Sequence, residues 1–163
     1  MFPLLQMKGF ILHLLFVVIA GFSLKGGSEQ SSGPFPPAEL RCEYLANPMG
    51  IDVKQPRFSW VLEHSERAEK QLACQIIVST EPSAEKGDMW DSGKMNTEES
   101  IHVIYSGKPL ESDRSYYWRV RYWDGNGASS PYSRIARFDT GLFSQEEWKG
   151  EWIGGTSELR KEF

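Results

Sequence analysis

Between Ser115 and Trp123 the chain alternates in strict period two. Tyr116, Trp118, Val120 and Tyr122 fall on one side, while Tyr117, Arg119, Arg121 and Trp123 fall on the other. The pattern predicts a half-buried strand in which Tyr116, Trp118 and Val120 are core scaffold. Asp124-Gly125-Asn126-Gly127 follows and predicts a hairpin turn, because these residue types accept the positive φ values that tight turns require. Comparable runs recur along the chain. Leu40, Cys42 and Tyr44 alternate before the turn at Asn47-Pro48-Met49-Gly50, and Phe58, Trp60 and Leu62 share a face behind Pro56, with Trp60 a further core scaffold residue. Leu72, Cys74, Ile76 and Val78 share a face within Gln71–Thr80, and Asp88–Met95 predicts a short edge strand bent at Gly93. Ile101, Val103 and Tyr105 alternate next, and Ala136, Phe138 and Thr140 alternate with Arg137 and Asp139. About seven short strands at roughly ten-residue spacing, without an amphipathic helix, predict an all-β, two-sheet sandwich.

The flanks read differently. Gly9–Leu24 is an apolar run behind Lys8, of signal-peptide length and short for a membrane span, so residues 1–24 are expected to be a signal peptide directing export to the periplasm or cell surface. An uncleaved N-terminal anchor is the other reading. Residues 25–38 are rich in Gly, Ser and Pro and predict a flexible linker, with the sandwich over 39–141. Glu63–Lys70 has no apolar stripe and reads as a solvated charged loop. Residues 142–163 hold Trp148, Trp152 and Ile153 but are too short to bury them, so they are expected to be a linker and the truncated start of a second β-sandwich.

A formal net charge of −4 supplies no broad positive field, which argues against a nucleic-acid partner. The two cysteines, Cys42 and Cys74, could form a disulfide in an exported chain, while the apolar setting of Cys74 favours a small buried hydrophobe. No nucleophile elbow, phosphate loop or metal-binding spacing occurs, so no catalytic, cofactor-binding or metal residue is assigned. His13 falls in the apolar leader, His64 in the charged loop and His102 on the outward side of a strand. The acidic pairs Asp88 and Asp91, Glu98 and Glu99, and Glu146 and Glu147 sit in turn-like sequence and read as surface acids. Trp90, Trp123, Tyr105 and Tyr132 could form a sugar-stacking platform, although core and inter-domain packing explain most of such aromatic content.

Leu110, Tyr116 and the strand behind them resemble a fibronectin type III sandwich, in which Tyr116 would be the tyrosine-corner residue and Trp60 the tryptophan buried on an early strand. Several phrases together are more specific. Arg41-Cys42-Glu43-Tyr44, Asn47-Pro48-Met49-Gly50-Ile51-Asp52, Pro56-Arg57-Phe58-Ser59-Trp60, Trp90-Asp91-Ser92-Gly93, Tyr116-Tyr117-Trp118-Arg119-Val120, Phe138-Asp139-Thr140-Gly141 and Trp148-Lys149-Gly150-Glu151-Trp152-Ile153-Gly154 resemble the N-terminal part of bacterial α-L-rhamnosidases of the Bacteroides type. Cys74 departs from the aromatic residue that relatives tend to carry there. The resemblance implies an exported glycoside hydrolase that removes terminal α-L-rhamnose with inversion, using carboxylates on an (α/α)6 barrel beyond Phe163. In that case this chain is a non-catalytic accessory domain whose partners are the missing C-terminal domains, and rhamnose-containing glycans are partners of the parent enzyme. It implies no cofactor, and no membrane association in the mature form. Tyr117, Arg119, Arg121 and Trp123 would then face neighbouring domains. A free-standing extracellular binding or adhesion module on the same sandwich is the competing reading.

Overall fold

The computed structural model describes residues 33–150. The predicted signal peptide and the residues from Glu151 onward lie outside the described residues, as does His13. Seven strands form: β1 Ala38–Cys42, β2 Arg57–Val61, β3 Ala73–Ser79, β4 Trp90–Asp91, β5 Val103–Ile104, β6 Ser115–Trp123 and β7 Ala136–Asp139. A 3₁₀ turn, Gln145–Glu147, is the helical element among the described residues. The strands make a three-stranded sheet in the order β1-β2-β5 and a four-stranded sheet in the order β4-β3-β6-β7. Every pairing between these strands is antiparallel. The chain is a two-sheet all-β sandwich.

Strand β6 organises the larger sheet. It pairs with β3 along its length, from Ala73 opposite Trp123 to Ser79 opposite Tyr117, and with β7 from Ser115 opposite Asp139 to Trp118 opposite Ala136. Tyr116, Trp118, Val120 and Tyr122 are buried and the residues between them are half-buried. Because the pleat sends alternate side chains to opposite faces, this register aims one row at the core and leaves the other outside. The core joins Phe58 and Trp60 of the smaller sheet to Ile76, Val78, Trp118 and Phe138 of the larger one. Phe58 lies 4.4 Å from Trp118 and 5.8 Å from Phe138, centroid to centroid. Trp60 Nε1 donates to Gln71 Oε1 at 3.1 Å, and Gln71 Nε2 donates to the Thr97 and Glu99 carbonyls at 3.1 and 2.7 Å. The one large polar side chain buried beside Trp60 therefore has its hydrogen bonds made.

Tyr116 occupies a corner. Its hydroxyl accepts the Glu111 N–H at 2.8 Å, and its ring stacks on Phe138 at 5.4 Å. Thr140 closes the same corner by donating its hydroxyl to the Glu111 carbonyl at 2.7 Å while accepting the Arg114 N–H at 3.0 Å. At the other end of β6 the expected turn forms: Asp124 Oδ1 accepts the N–H groups of Asn126 and Ala128 at 3.0 and 2.8 Å, and Gly127 takes a φ of +81°. The return leg contains Pro131, which cannot donate to a ladder. Ser130 and Ser133 compensate on either side: their N–H groups donate to the carbonyls of Tyr122 and Val120, while their hydroxyls accept the N–H groups of the same two residues.

Several sequence expectations change. The fold engages the chain before Glu39, because Phe35 N–H donates to the Glu63 carbonyl at 2.8 Å and Gly33 N–H to Ser65 Oγ at 2.9 Å. Backbone bonds order this part of the Gly/Pro-rich leader, which composition does not register. The alternation of Leu40, Cys42 and Tyr44 is broken by an irregular register between Ala38 and Arg41 and by a tight turn between Cys42 and Leu45, so Tyr44 is exposed while Cys42 is buried. Leu72 precedes β3 and is exposed, while Ala73 and Ile77 on the opposite face are buried. Ile101 is also exposed, and His102 sits at positive φ in the bend before β5 rather than on the strand. Cys42 and Cys74 are both free and buried, one in each sheet, and burial pushes both thiols up to about 12.

Candidate functional site

Of the candidate acids, Asp88 and Asp91 are engaged in local hydrogen bonds. Asp88 accepts the Thr80 N–H and hydroxyl, the latter at 2.7 Å, and Asp91 accepts Gln75 Nε2 at 2.7 Å and the Gly93 N–H at 2.9 Å. Glu98 and Glu99 are exposed in the segment between β4 and β5, and Glu146 and Glu147 are exposed in the 3₁₀ turn. No pair flanks an enclosed cleft of the kind glycoside hydrolysis requires. Among the described residues no group of three or more His, Cys, Asp or Glu side chains could hold a metal ion.

His64 is not solvated, as its charged loop suggests, but packs against the β6 turn with its side chain 7% exposed. Its Nδ1 accepts the Glu66 N–H at 2.9 Å, so Nε2 carries the proton and donates to Asp124 Oδ2 at 3.3 Å. Burial alone would raise the Asp124 carboxyl, but hydrogen bonds from Ala128, His64 and Asn126 outweigh it and hold the group below its ordinary range. Tyr122 adds a second link, its hydroxyl donating to the Glu63 carbonyl at 2.5 Å. The two contacts latch residues 63–66 onto the end of β6. The neighbouring Ser65 hydroxyl is engaged with Gly33, so the His64–Asp124 pair reads as a structural tie.

The four aromatics considered as a sugar platform do not form one surface. Tyr105 is buried and its hydroxyl donates to the Lys108 carbonyl at 2.7 Å, while Trp90 packs edge-on against it at 5.3 Å and stacks on Phe58 at 6.4 Å. Both pack into the core between the sheets, Trp90 from β4 of the larger sheet and Tyr105 from the end of β5 in the smaller one. Trp123 and Tyr132 lie on the outer side, and cations cover them. Arg119 and Arg121 sit 4.4 and 4.8 Å from the Tyr132 centroid, and Lys94 and Arg121 sit 4.6 and 4.8 Å from that of Trp123. Arg121 is further held by Nε and Nη2 bonds to Gln75 Oε1 at 3.0 and 2.7 Å, and Gln75 hands the contact on to Asp91. Alternation placed Arg119, Arg121 and Trp123 on this face. It did not indicate Lys94 or Gln75, whose positions depend on the β3–β6 register.

The smaller sheet carries a second ordered polar cluster that alternation did not signal. Glu43 and Tyr44 form the two-residue turn after β1 with φ values of +47° and +68°, although neither is Gly or Asn. Arg57 holds the turn by reaching Glu43 Oε2 at 2.6 Å and stacking on Tyr44 at 4.9 Å. The hydrogen bonds from Arg57 are the main cause holding the Glu43 carboxyl below its usual value.

Residues 37–144 match the family described as Rha78A-like, N-terminal immunoglobulin domain. The α-L-rhamnosidase of Streptomyces avermitilis is 35% identical over 118 residues, which is 72% of this chain and 12% of that protein. The α-L-rhamnosidase of Alteromonas sp. is 38% identical over 115 residues, 69% of this chain and 12% of its own length. Among solved structures, the α-L-rhamnosidase from Dictyoglumus thermophilum superposes with a TM-score of 0.72 at 43% identity, covering 76% of this chain and 14% of that one. The chain thus spans about an eighth of the length of the curated relatives it matches, at 12% for both. With its two-sheet architecture and this match across most of the sandwich, the chain belongs to the family of Rha78A-like N-terminal immunoglobulin domains.

Proposed function

We propose that this sandwich is a non-catalytic accessory domain of an exported α-L-rhamnosidase, a glycoside hydrolase that releases terminal α-L-rhamnose with inversion. The observation that carries the reading is the extent of the match: the two relatives named α-L-rhamnosidases above are 35% and 38% identical here, yet the matched stretch is 12% of each. The engagement of Asp88 and Asp91 in local hydrogen bonds, and the core position of two of the four platform aromatics, support a scaffold role over hydrolysis or sugar stacking. The general acid and base belong to a domain beyond Phe163, and the apolar leader supports export. Reading the frame past Phe163 tests this. A long helical region with acidic residues is expected, whereas a stop codon directly behind the domain would favour a free-standing extracellular module. The mass of the mature protein tests export, with an N-terminus downstream of the apolar run expected and an intact Met1 counting against it.

A further inference from the structure

The outer face of the larger sheet concentrates positive charge without counterions. Arg119 and Arg121 converge on the two-sided ring of Tyr132, and Lys94 lies over Trp123, yet none of the three forms an ion pair among the described residues. Four arginines elsewhere on the domain, Arg41, Arg57, Arg114 and Arg137, each have a carboxylate partner. Arg119 is also under-bonded. Its Nε is buried without an acceptor, and its one hydrogen bond, Nη2 to the Glu85 carbonyl, is 3.4 Å long. Two half-buried guanidinium groups against one ring repel each other, and an unused buried donor carries a desolvation penalty. An incoming carboxylate would relieve the repulsion through the outer guanidinium nitrogens.

We propose that this face docks a carboxylate-bearing segment of the polypeptide that continues beyond the domain, with Arg119 and Arg121 gripping the acid and Lys94 supplementing the field. The proposal rests on the reading of the chain as an accessory domain of a longer rhamnosidase. Three considerations select this occupant. Guanidinium donors match planar carboxylates in geometry and charge. Cations already lie against Trp123 and Tyr132, which leaves sugars a poor stacking platform. A second copy of this chain would bring a net charge of −4 against another of the same sign.

The test places Arg119→Gln and Arg121→Gln together in the product of the full reading frame and in the 163-residue chain. The isolated chain should still unfold in one cooperative urea transition, which controls for folding. In the full-length protein, chymotryptic cleavage between Leu142 and Gly150 should speed up by about tenfold, since a docked domain shields its linker. Raising salt to about 0.5 M should reproduce that acceleration in the parent sequence but add little to the variant. Unchanged cleavage with intact folding would overturn the proposal. So would binding of oligogalacturonate by the isolated chain that the variant loses, which would assign the face to an anionic glycan, or a salt-sensitive dimer of the isolated chain that the variant abolishes. Hydrolysis of an aryl rhamnoside by the full-length parent is read separately: activity with unchanged cleavage refutes docking alone, and absent activity refutes the hydrolase reading alone.

Discussion

Replacing Tyr116 with Phe isolates a single hydrogen bond in the β6 corner. The substitution keeps the ring that stacks on Phe138 at 5.4 Å and removes only the hydroxyl that accepts the Glu111 N–H at 2.8 Å. Tyr116 is 1% exposed, so the change leaves both a small void and a donor without its acceptor. A lost partner of this kind costs about 1–3 kcal/mol, and because Glu111 itself is exposed to water the lower half of that range is expected. For a domain of this size each kcal/mol moves the melting temperature by about 4 °C, which gives a fall of about 4–8 °C. Tyr116→Ala removes the ring as well and should cost about 3–5 kcal/mol. Urea unfolding followed by tryptophan fluorescence reads both, with the m-value unchanged in the Phe variant. Thr140→Val should couple to Tyr116→Phe by more than about 0.5 kcal/mol, since both hydroxyls serve the Glu111–Arg114 turn. A Phe variant within about 0.3 kcal/mol of the parent would refute the claim that this hydroxyl fixes the corner.

Burial with thiols pushed up to about 12 predicts that neither Cys42 nor Cys74 reacts with a thiol reagent in the folded chain at pH 8, while both react in denaturant; fast labelling without denaturant would contradict it. Asp124 titrates below its ordinary value when folded, so its stabilisation is present above the unfolded carboxylate range, near pH 3.9, and is lost as the pH falls through the folded value. Asp124→Asn should flatten that acid limb of the stability profile and free the 63–66 loop to faster hydrogen exchange; an unchanged limb would show that other acids govern it. Gly107→Ala would set a Cβ 2.5 Å from the Met89 carbonyl and 2.6 Å from Trp90 Cβ, so a loss of about 1–3 kcal/mol is expected in the same urea assay; a neutral result would mean that the 105–109 turn gives way readily.

Legibility in the sequence followed interaction range. In β6 the pleat alone decides which side chain faces in, so the buried set Tyr116, Trp118, Val120 and Tyr122 matches the period-two pattern. Phe58 and Trp60 were legible in the same way. Alternation failed where the backbone departs from a regular strand: the irregular β1 and the Glu43-Tyr44 turn reversed the exposure expected at Tyr44, and neither carries a Gly or Asn to announce itself. Contacts between distant residues left no local trace. His64 read as solvated because its partner Asp124 is 60 positions away, and the link from Gln75 to Arg121 spans 46. Aromatic content did not separate core from surface either, since Tyr105 is buried while Tyr132 lies under the arginines of the outer face. The cationic outer face was half legible: its arginines follow from period two, while their lack of counterions follows only from the assembled sheet.

The accessory-domain account is tested most directly by release of rhamnose from an aryl α-L-rhamnoside, measured in parallel for the 163-residue chain and for the product of the full reading frame. The account predicts turnover by the full product and none above a buffer blank by the chain. Turnover by the chain alone, or none by the full product, would contradict it.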